Sequence, residues 1–237
     1  MARNPSRYVM SCSYNSQLAT DFGRQIRGVV EDKTIPQAFP DFKLSQDSRA
    51  ADVWRTEDNG AYFAVGIGGT TSGRPANLLI VDDPVKSRED AESMTQRNKT
   101  WNYYTSALAT RLQPEQNGTR PKQIVILTRW HPDDLAGRLQ QTEDWEEGRW
   151  KHVNFQAIKT VRSGKISRRE LPETDSRYIE PGELTKLAPG KRTVDIHEEE
   201  SLWPERFTLE DLKRRERLNP REFASLYQQR PYIEGGN

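Results

Sequence analysis

One cysteine, Cys12, is all that the 237 residues contain, so no internal disulfide can form, and a reducing cytoplasm is the expected location. The thiol lies in an apolar, strand-like run after Met10 and Ser11, which suits an inert core side chain better than a nucleophile. No apolar run approaches the roughly 18 residues that cross a bilayer. The N-terminus has no signal-peptide core, so no membrane partner is expected, and the Asn-x-Thr matches at Asn98 and Asn117 carry no weight as glycosylation sites. Apolar residues are scarce, at 33% against 30% charged, so part of the chain must be solvated linker or surface. An excess of one charge is lacking too: the formal net charge is +1. No global positive field points to nucleic acid, and none argues against it.

What is present is patterned. Residues 7–13, RYVMSCS, are short and β-rich. The next stretch spaces Leu18, Phe22, Ile26 and Val29 for one helical face, with Asp21, Arg24 and Arg27 on the polar side. Pro36 and Pro40 break an irregular stretch from 35 to 55. Asn59-Gly60 signals a turn before an alternating strand at 61–66, and a glycine cluster, GIGGTTSG, occupies 66–73. Residues 78–81 form a continuous apolar run, as in a parallel strand buried on both faces, and 123–127, QIVIL, reads the same way. Between them, 89–112 predicts one long helix with Trp101, Tyr104, Leu108 and Leu112 facing inward. Asp133 or Asp134 caps a helix through Leu139, and 150–158 reads as a third, weaker strand. Strands alternating with helices predict an α/β fold with a mostly parallel sheet flanked by helices. The composition then shifts: 159–200 is rich in charge, Pro and Gly, and reads as an extended or insertion-like segment with room for a small hairpin. Residues 207–229 return to helix, opened by Thr208 with Asp211 as an acidic capping box and interrupted near Asn219-Pro220.

The chemistry concentrates at two strand ends. Residues 77–84, NLLIVDDP, place Asp82 and Asp83 after four apolar residues, a Walker B-like pattern. In that pattern the first carboxylate, Asp82, holds Mg2+ through water and the second, Asp83, orients the attacking water. The same letters also describe a strand ending in a polar turn at Pro84. The glycine cluster is no phosphate loop. Gly68 and Gly73 have the spacing, but Arg74-Pro75 stand where Lys and a hydroxyl belong, and a strand follows where a helix must open. The second strand, KQIVIL, ends at Thr128, whose hydroxyl falls at the same sheet edge as Asp82. A polar residue there either senses a γ-phosphate or simply caps a strand. His131, Asp133 and Asp134 are too compactly spaced for a known metal motif and suit capping better.

Taken in order, SRYVMSCSYNSQLATDFGRQIR, AYFAVGIGGTTSGRPANLLIVDDPVKS, ALATRLQP, IVILTRWHPDDLAGRL, LWPERFTLEDL and REFASLYQQRP cover most of the chain. They resemble the large terminase subunit of tailed bacteriophages, the ATP-driven motor that packages DNA. LTRWHPDDLAGRL and YQQRP are the most specific pieces. The resemblance implies a P-loop NTPase sheet with an additional central strand, followed by a helical linker. It implies that Asp82 and Asp83 are the Walker B pair, Asp83 being shorter than the Glu that the family often has. It puts Thr128 in the motif that couples hydrolysis to movement. It makes Arg74 a finger acting on a neighbouring subunit's ATP, against the alternative of an Arg bonding local carbonyls. The implied cofactors are Mg2+ and ATP. The implied partners are double-stranded DNA, the portal protein, the small terminase subunit and neighbouring copies of the large subunit, in the cytoplasm of a bacterial host.

Two departures shape the expectation. The family's Walker A strand, loop and helix precede the segment matching RYVMSCSYN, yet only six residues precede Arg7, and the chain ends at Asn237 where the family's metal nuclease would begin. Residues 1–158 are therefore expected to be the later part of an ATPase domain, 159–200 a charged insertion, and 201–237 a helical linker. Such a chain is expected to bind neither ATP nor Mg2+ appreciably by itself, and its sheet to have an exposed central edge. The alternative is a non-catalytic module that binds portal, small terminase or DNA. A nuclease-like cluster of Asp82, Asp83 and Lys86 ranks below both, for want of a second acidic strand.

Overall fold

Continuous apolar runs make buried strands, and in the computed structural model, which describes residues 1–233, they assemble side by side. β1 (Tyr8–Ser13) leads into α1 (Ser16–Glu31) and the short α2 (Thr34–Ala38). β2 (Leu44–Arg49), β3 (Val53–Thr56), β4 (Ala61–Gly66) and β5 (Leu78–Asp82) follow. Then come α3 (Arg88–Glu92), α4 (Met94–Tyr103), β6 (Lys122–Ile126), α5 (Leu135–Leu139) and α6 (Glu143–Glu146). The six strands form one sheet in the order β2-β3-β4-β1-β5-β6. β4, β1, β5 and β6 are mutually parallel, and β2 and β3 add antiparallel at one side. The expected mostly parallel α/β sheet flanked by helices is what forms, within a unit of the chain that runs over Met1–Lys151.

Side chains alternate across the sheet, and each face has its own core. One face buries Met10, Cys12, Phe63, Leu79 and Val81 against Tyr104, Leu108, Leu135 and Leu139. The other buries Val9, Trp54, Tyr62 and Ala64 against Ala19 of α1 and Phe42. The cross-strand pair Trp54 and Tyr62 stacks with ring centroids 5.1 Å apart. Buried Cys12 has its thiol pushed up to about 12 by desolvation, which makes it an inert core group.

Three sequence readings change here. In α1 the inward face is made of small residues: Ala19 and Gly23 are buried, whereas Val29 is 60% exposed and Ile26 is exposed as well. A Cβ on Gly23 would lie 2.3 Å from the Ala51 carbonyl oxygen, so the helix approaches too closely for larger side chains to serve as its contact face. The long helix expected over 89–112 is interrupted. Ser93 takes an extended conformation (φ −72°, ψ 113°), ends α3 and caps α4, and after Tyr103 the backbone continues as a π turn over Tyr104–Leu108. The expected inward residues Tyr104 and Leu108 are nevertheless buried.

The third change concerns β6. Read as buried on both faces, it is instead the last strand of the sheet, with Ile124 45% and Ile126 53% exposed. Its partner β5 lies on one side only, so among the described residues the other edge leaves backbone donors and acceptors without a strand partner beside an exposed apolar face. Such an edge is a template for pairing with another chain. The protein is therefore expected to self-associate as its concentration rises, and Ile124→Lys with Ile126→Lys should return it to monomer in sedimentation velocity. An unchanged sedimentation profile in the double variant would assign the association to another surface.

A second unit covers His152–Arg230. The strand expected at 150–158 is absent. The first pairing residue is Ile158, which opens β7 (Ile158–Ser167). After the short α7 (Pro181–Leu184), β8 (Thr193–Ser201) returns antiparallel to it. Cross-strand charge explains why so polar a segment pairs at all: Lys159 faces Glu200, Arg162 faces Glu198 and Lys165 faces Asp195, and the Lys159–Glu200 ion pair closes at 2.5 Å. α8 (Leu209–Leu218) starts at Thr208, which accepts from the Asp211 amide as the capping pattern predicts. Asn219 caps the single turn α9 (Pro220–Glu222), which runs into a π turn over Phe223–Tyr227. Ile158, Leu212 and Phe223 form the core of this unit. The Gln228 side-chain amide both donates to and accepts from the Ile158 backbone, at 3.1 and 3.0 Å, holding the helical segment to the hairpin. The last four residues of the expected linker lie outside the described residues.

Candidate functional site

The four parallel strands end along one edge of the sheet, at Ser13, Gly66, Asp82 and Ile126. After β1 the chain enters α1, whose Ala19 packs with Val9 and Tyr62 on one face. After β5 it reaches α4, whose Trp101 and Tyr103 pack with Met10, Leu79 and Val81 on the other. Adjacent strands whose following helices take opposite faces form a topological switch point, and their carboxyl ends part to leave the crevice where open α/β sheets bind ligands. Ser13, Tyr14, Asp82 and Asp83 stand at that point.

Asp83 is tied to both neighbouring strands. Its N–H donates to the Ile126 carbonyl at 2.9 Å, its carbonyl accepts from the Tyr14 N–H at 3.1 Å, and its Oδ1 accepts from the Thr128 N–H at 3.0 Å. These bonds hold it at φ 42°, a left-handed conformation that Asp and Asn tolerate better than other non-glycine residues. Thr128 lies two residues beyond β6, so the structure brings Asp82, Asp83 and Thr128 together, with the Thr128 backbone rather than the strand end making the link. Asp82 alternates with Val81 and so falls on the face of Leu78 and Ile80, the face that carries Tyr62. Burial holds the Tyr62 phenol above its usual range, and the negative charge of Asp82 adds to that rise. The Asp82 carboxyl is itself raised, first by burial and then by the charge of Asp83.

A carboxylate raised by burial and by a like charge gains from a cation beside it. Among the described residues no three His, Cys, Asp or Glu side chains gather as a metal-holding group. A cation here would keep most of its waters and use one or two carboxylates, which is how Mg2+ binds and not how zinc or calcium does. One more group fits that picture. Ser13 is fully buried, and its hydroxyl has no hydrogen-bond partner.

The other sequence candidates lie apart from this crevice. Arg74 is half-buried, with its guanidinium 5.5 Å from the Phe63 ring centroid, on the Met10–Leu79 face of the sheet. The structure does not bring it to the carboxylate pair. The glycine loop leads from β4 into β5 and opens no helix, so its near-match to a phosphate loop has no helix N-terminus behind it. Lys86 is exposed, and no described contact joins it to Asp82 or Asp83.

His131, Asp133 and Asp134 form a structural bracket. Asp134 caps α5 by accepting from the Gly137 amide at 2.8 Å and pairs with Arg129 at 2.6 Å. Asp133 accepts from Arg138 and from Arg97, which hold its carboxyl down at about 2, the Arg138 hydrogen bond being the largest cause. His131 Nδ1 accepts from the Asp133 amide. Arg88 lies over the Trp130 ring at 5.3 Å and donates to the Trp130 carbonyl. The segment after β6 is thus fastened to α3 and α4, and that fastening sets the position of Thr128.

Sequence reading missed Ser13 and Tyr14. The available signal was an apolar run ending in Ser-Tyr-Asn immediately before a helix, the same strand-end logic that singled out Asp82 and Thr128. A scan against protein-family models finds none that matches this chain, and a search of curated proteins finds no match either.

Proposed function

We propose that this chain works as part of a DNA-packaging ATPase of the large-terminase type, with the carboxyl ends of β5 and β6 as the carboxylate half of its hydrolytic centre. The observation that carries the reading is the junction of Asp82, Asp83 and Thr128 at the switch point of a mostly parallel sheet. In this reading Asp82 holds hydrated Mg2+, Asp83 orients the attacking water, and Thr128 passes the state of the site to the segment after β6. Mg2+ supplies charge neutralisation of the phosphates when bound; the residues here orient water and position the ion.

The open edge of β6 supports the same reading. A parallel strand added there, with its helix over Ile124 and Ile126, would bring a phosphate loop next to the Thr128 segment, one strand removed from Asp82 and Asp83. Double-stranded DNA, portal, small subunit and neighbouring copies are the partners this function requires. Arg74, half-exposed and away from the chain's own carboxylates, is the residue offered to a neighbour. The uncovered β6 face also suits a module that only docks a partner. The two readings separate at Asp82, because docking is indifferent to it.

The test is titration calorimetry with ATP and Mg2+. This sequence alone is expected to show no micromolar binding. Supplying an upstream strand, G-x-x-x-x-G-K-[ST] loop and helix should install binding and hydrolysis, and Asp82→Ala should then abolish hydrolysis. Micromolar binding without the loop, or hydrolysis that survives Asp82→Ala, would overturn the proposal.

A further inference from the structure

We propose that Ser13 is a cation-site residue: its hydroxyl holds a water of the hydrated divalent cation that Asp82 takes. The inference rests on the reading of Asp82 as the cation carboxylate and adds a residue to that site.

Three observations carry it. First, the Ser13 hydroxyl is buried without any hydrogen-bond partner. Such a group has given up its bonds to water and recovers them only from a ligand or a bound water. Second, Ser13 lies one step along the β1–β5 ladder from the pair Cys12↔Val81, level with Asp82, and the Tyr14 to Asp83 hydrogen bond continues the pairing past them. Residues level on neighbouring strands share a face, so the Ser13 hydroxyl and the Asp82 carboxylate stand side by side. That face also carries Ile80 and Tyr62, and the Tyr62 phenol feels the Asp82 charge. Third, the pair stands at the carboxyl ends of β1 and β5, at the switch point where open α/β sheets bind ligands.

Burial alone would not suffice. Ser225 is equally buried and unpartnered, but it lies in the second unit, which has no switch point. A cation that keeps its waters needs acceptors around its hydration shell as well as one carboxylate. The Ser13 hydroxyl can accept from such a water, which would bridge it to the cation held by Asp82. On the other side of Ser13, Gly66 leaves no side chain in the way: a Cβ there would lie 2.3 Å from the Ser16 amide nitrogen.

The experiment uses Mn2+ at millimolar concentration as probe on the full chain, where a site too weak to fill at micromolar cation is populated, read by paramagnetic broadening of backbone amides and by the affinity it yields. Wild type should show broadening centred on residues 13, 82, 83 and 128. Ser13→Ala should weaken Mn2+ binding about three- to tenfold, the usual worth of one such hydrogen bond. Its melting temperature without metal should be unchanged or higher, because an unpartnered buried hydroxyl has been removed. Ser13→Cys, close in size but a poor partner for the water, should follow alanine. Asp82→Asn should abolish binding. If Asp82→Asn abolishes binding while Ser13→Ala retains wild-type affinity, the role of Ser13 is overturned and the Asp82 reading stands. If Asp82→Asn binds Mn2+ as wild type does, or wild type shows no broadening at these residues, the cation reading fails and takes this inference with it.

Discussion

Replacing Asp134 with alanine should destabilise the larger unit by about 3–5 kcal/mol, the usual cost of removing one partner from a buried ion pair. The Asp134 side chain is only 4% exposed and that of Arg129 11%. The two meet at 2.6 Å, so alanine strands a guanidinium that cannot discharge. The carboxylate also accepts from the Gly137 amide as the cap of α5. Burial keeps the Asp134 carboxyl above its usual range even though Arg129 opposes the rise, so desolvation outweighs the partner's attraction. The pair is therefore costly to bury and costlier to break. Asp134→Asn separates the two contributions: it retains an acceptor for the cap, worth about 1 kcal/mol, and loses the charge. It should cost less than alanine. Arg129→Met with Asp134→Leu should be less damaging than Asp134→Ala, because no charge is left unpaired. Urea unfolding of the four proteins reads this directly. A loss below about 1 kcal/mol for Asp134→Ala would mean that Arg129 reaches water by itself and that the pair does not fasten the segment after β6.

The second large effect belongs to catalysis. With a phosphate-loop element supplied, Asp83→Asn should slow ATP hydrolysis by about 10²–10⁴-fold, the range contributed by a positioned acid–base group. Asn is the informative substitution for a structural reason. Asp83 sits at φ 42° and its Oδ1 accepts the Thr128 N–H. Asn tolerates that backbone conformation and keeps the acceptor, so it removes the charge and little else. Stability should stay within about 0.5 kcal/mol of wild type, as for changes that touch no core contact. Asp83→Ala loses the hydrogen bond and the conformational tolerance together, so it should lower both rate and melting temperature. A fully active Asp83→Asn would remove Asp83 from the chemistry and leave it as the brace between β5 and the segment after β6.

Both predictions concern residues that were visible in the sequence, yet for unequal reasons. Asp82 and Asp83 were legible because a buried strand must end, and carboxylates right after four apolar residues mark the end that faces ligands. Asp133 and Asp134 were legible as caps because capping is local: the acceptor and the amide it serves are three residues apart in Asp134–Gly137. Their partners Arg97 and Arg129 were not legible as such. Arg97 reaches Asp133 across 36 positions, and nothing in local pattern encodes that distance.

The sequence by itself determined where backbone order forms. The β-rich run at 7–13, the alternating stretch at 61–66 and the continuous apolar run at 78–81 set β1, β4 and β5, the cap at Thr208 set α8, and Asn59-Gly60 set the turn before β4, all through interactions within a few residues. Only the tertiary structure decided which neighbours those strands acquire. The run QIVIL has the composition of a central strand, but it became a sheet edge because no described strand pairs beyond it. In 159–200 the opposing charges of two strands formed a long hairpin once they were placed face to face, although neither strand alone has an apolar pattern. Ser13 entered the candidate site only because β1 sits between β4 and β5 with its helix on the opposite face from that of β5. Periodicity states which residues share a face, whereas strand order states what that face meets. Strand order is set by the summed burial of the whole sheet, which no single segment carries.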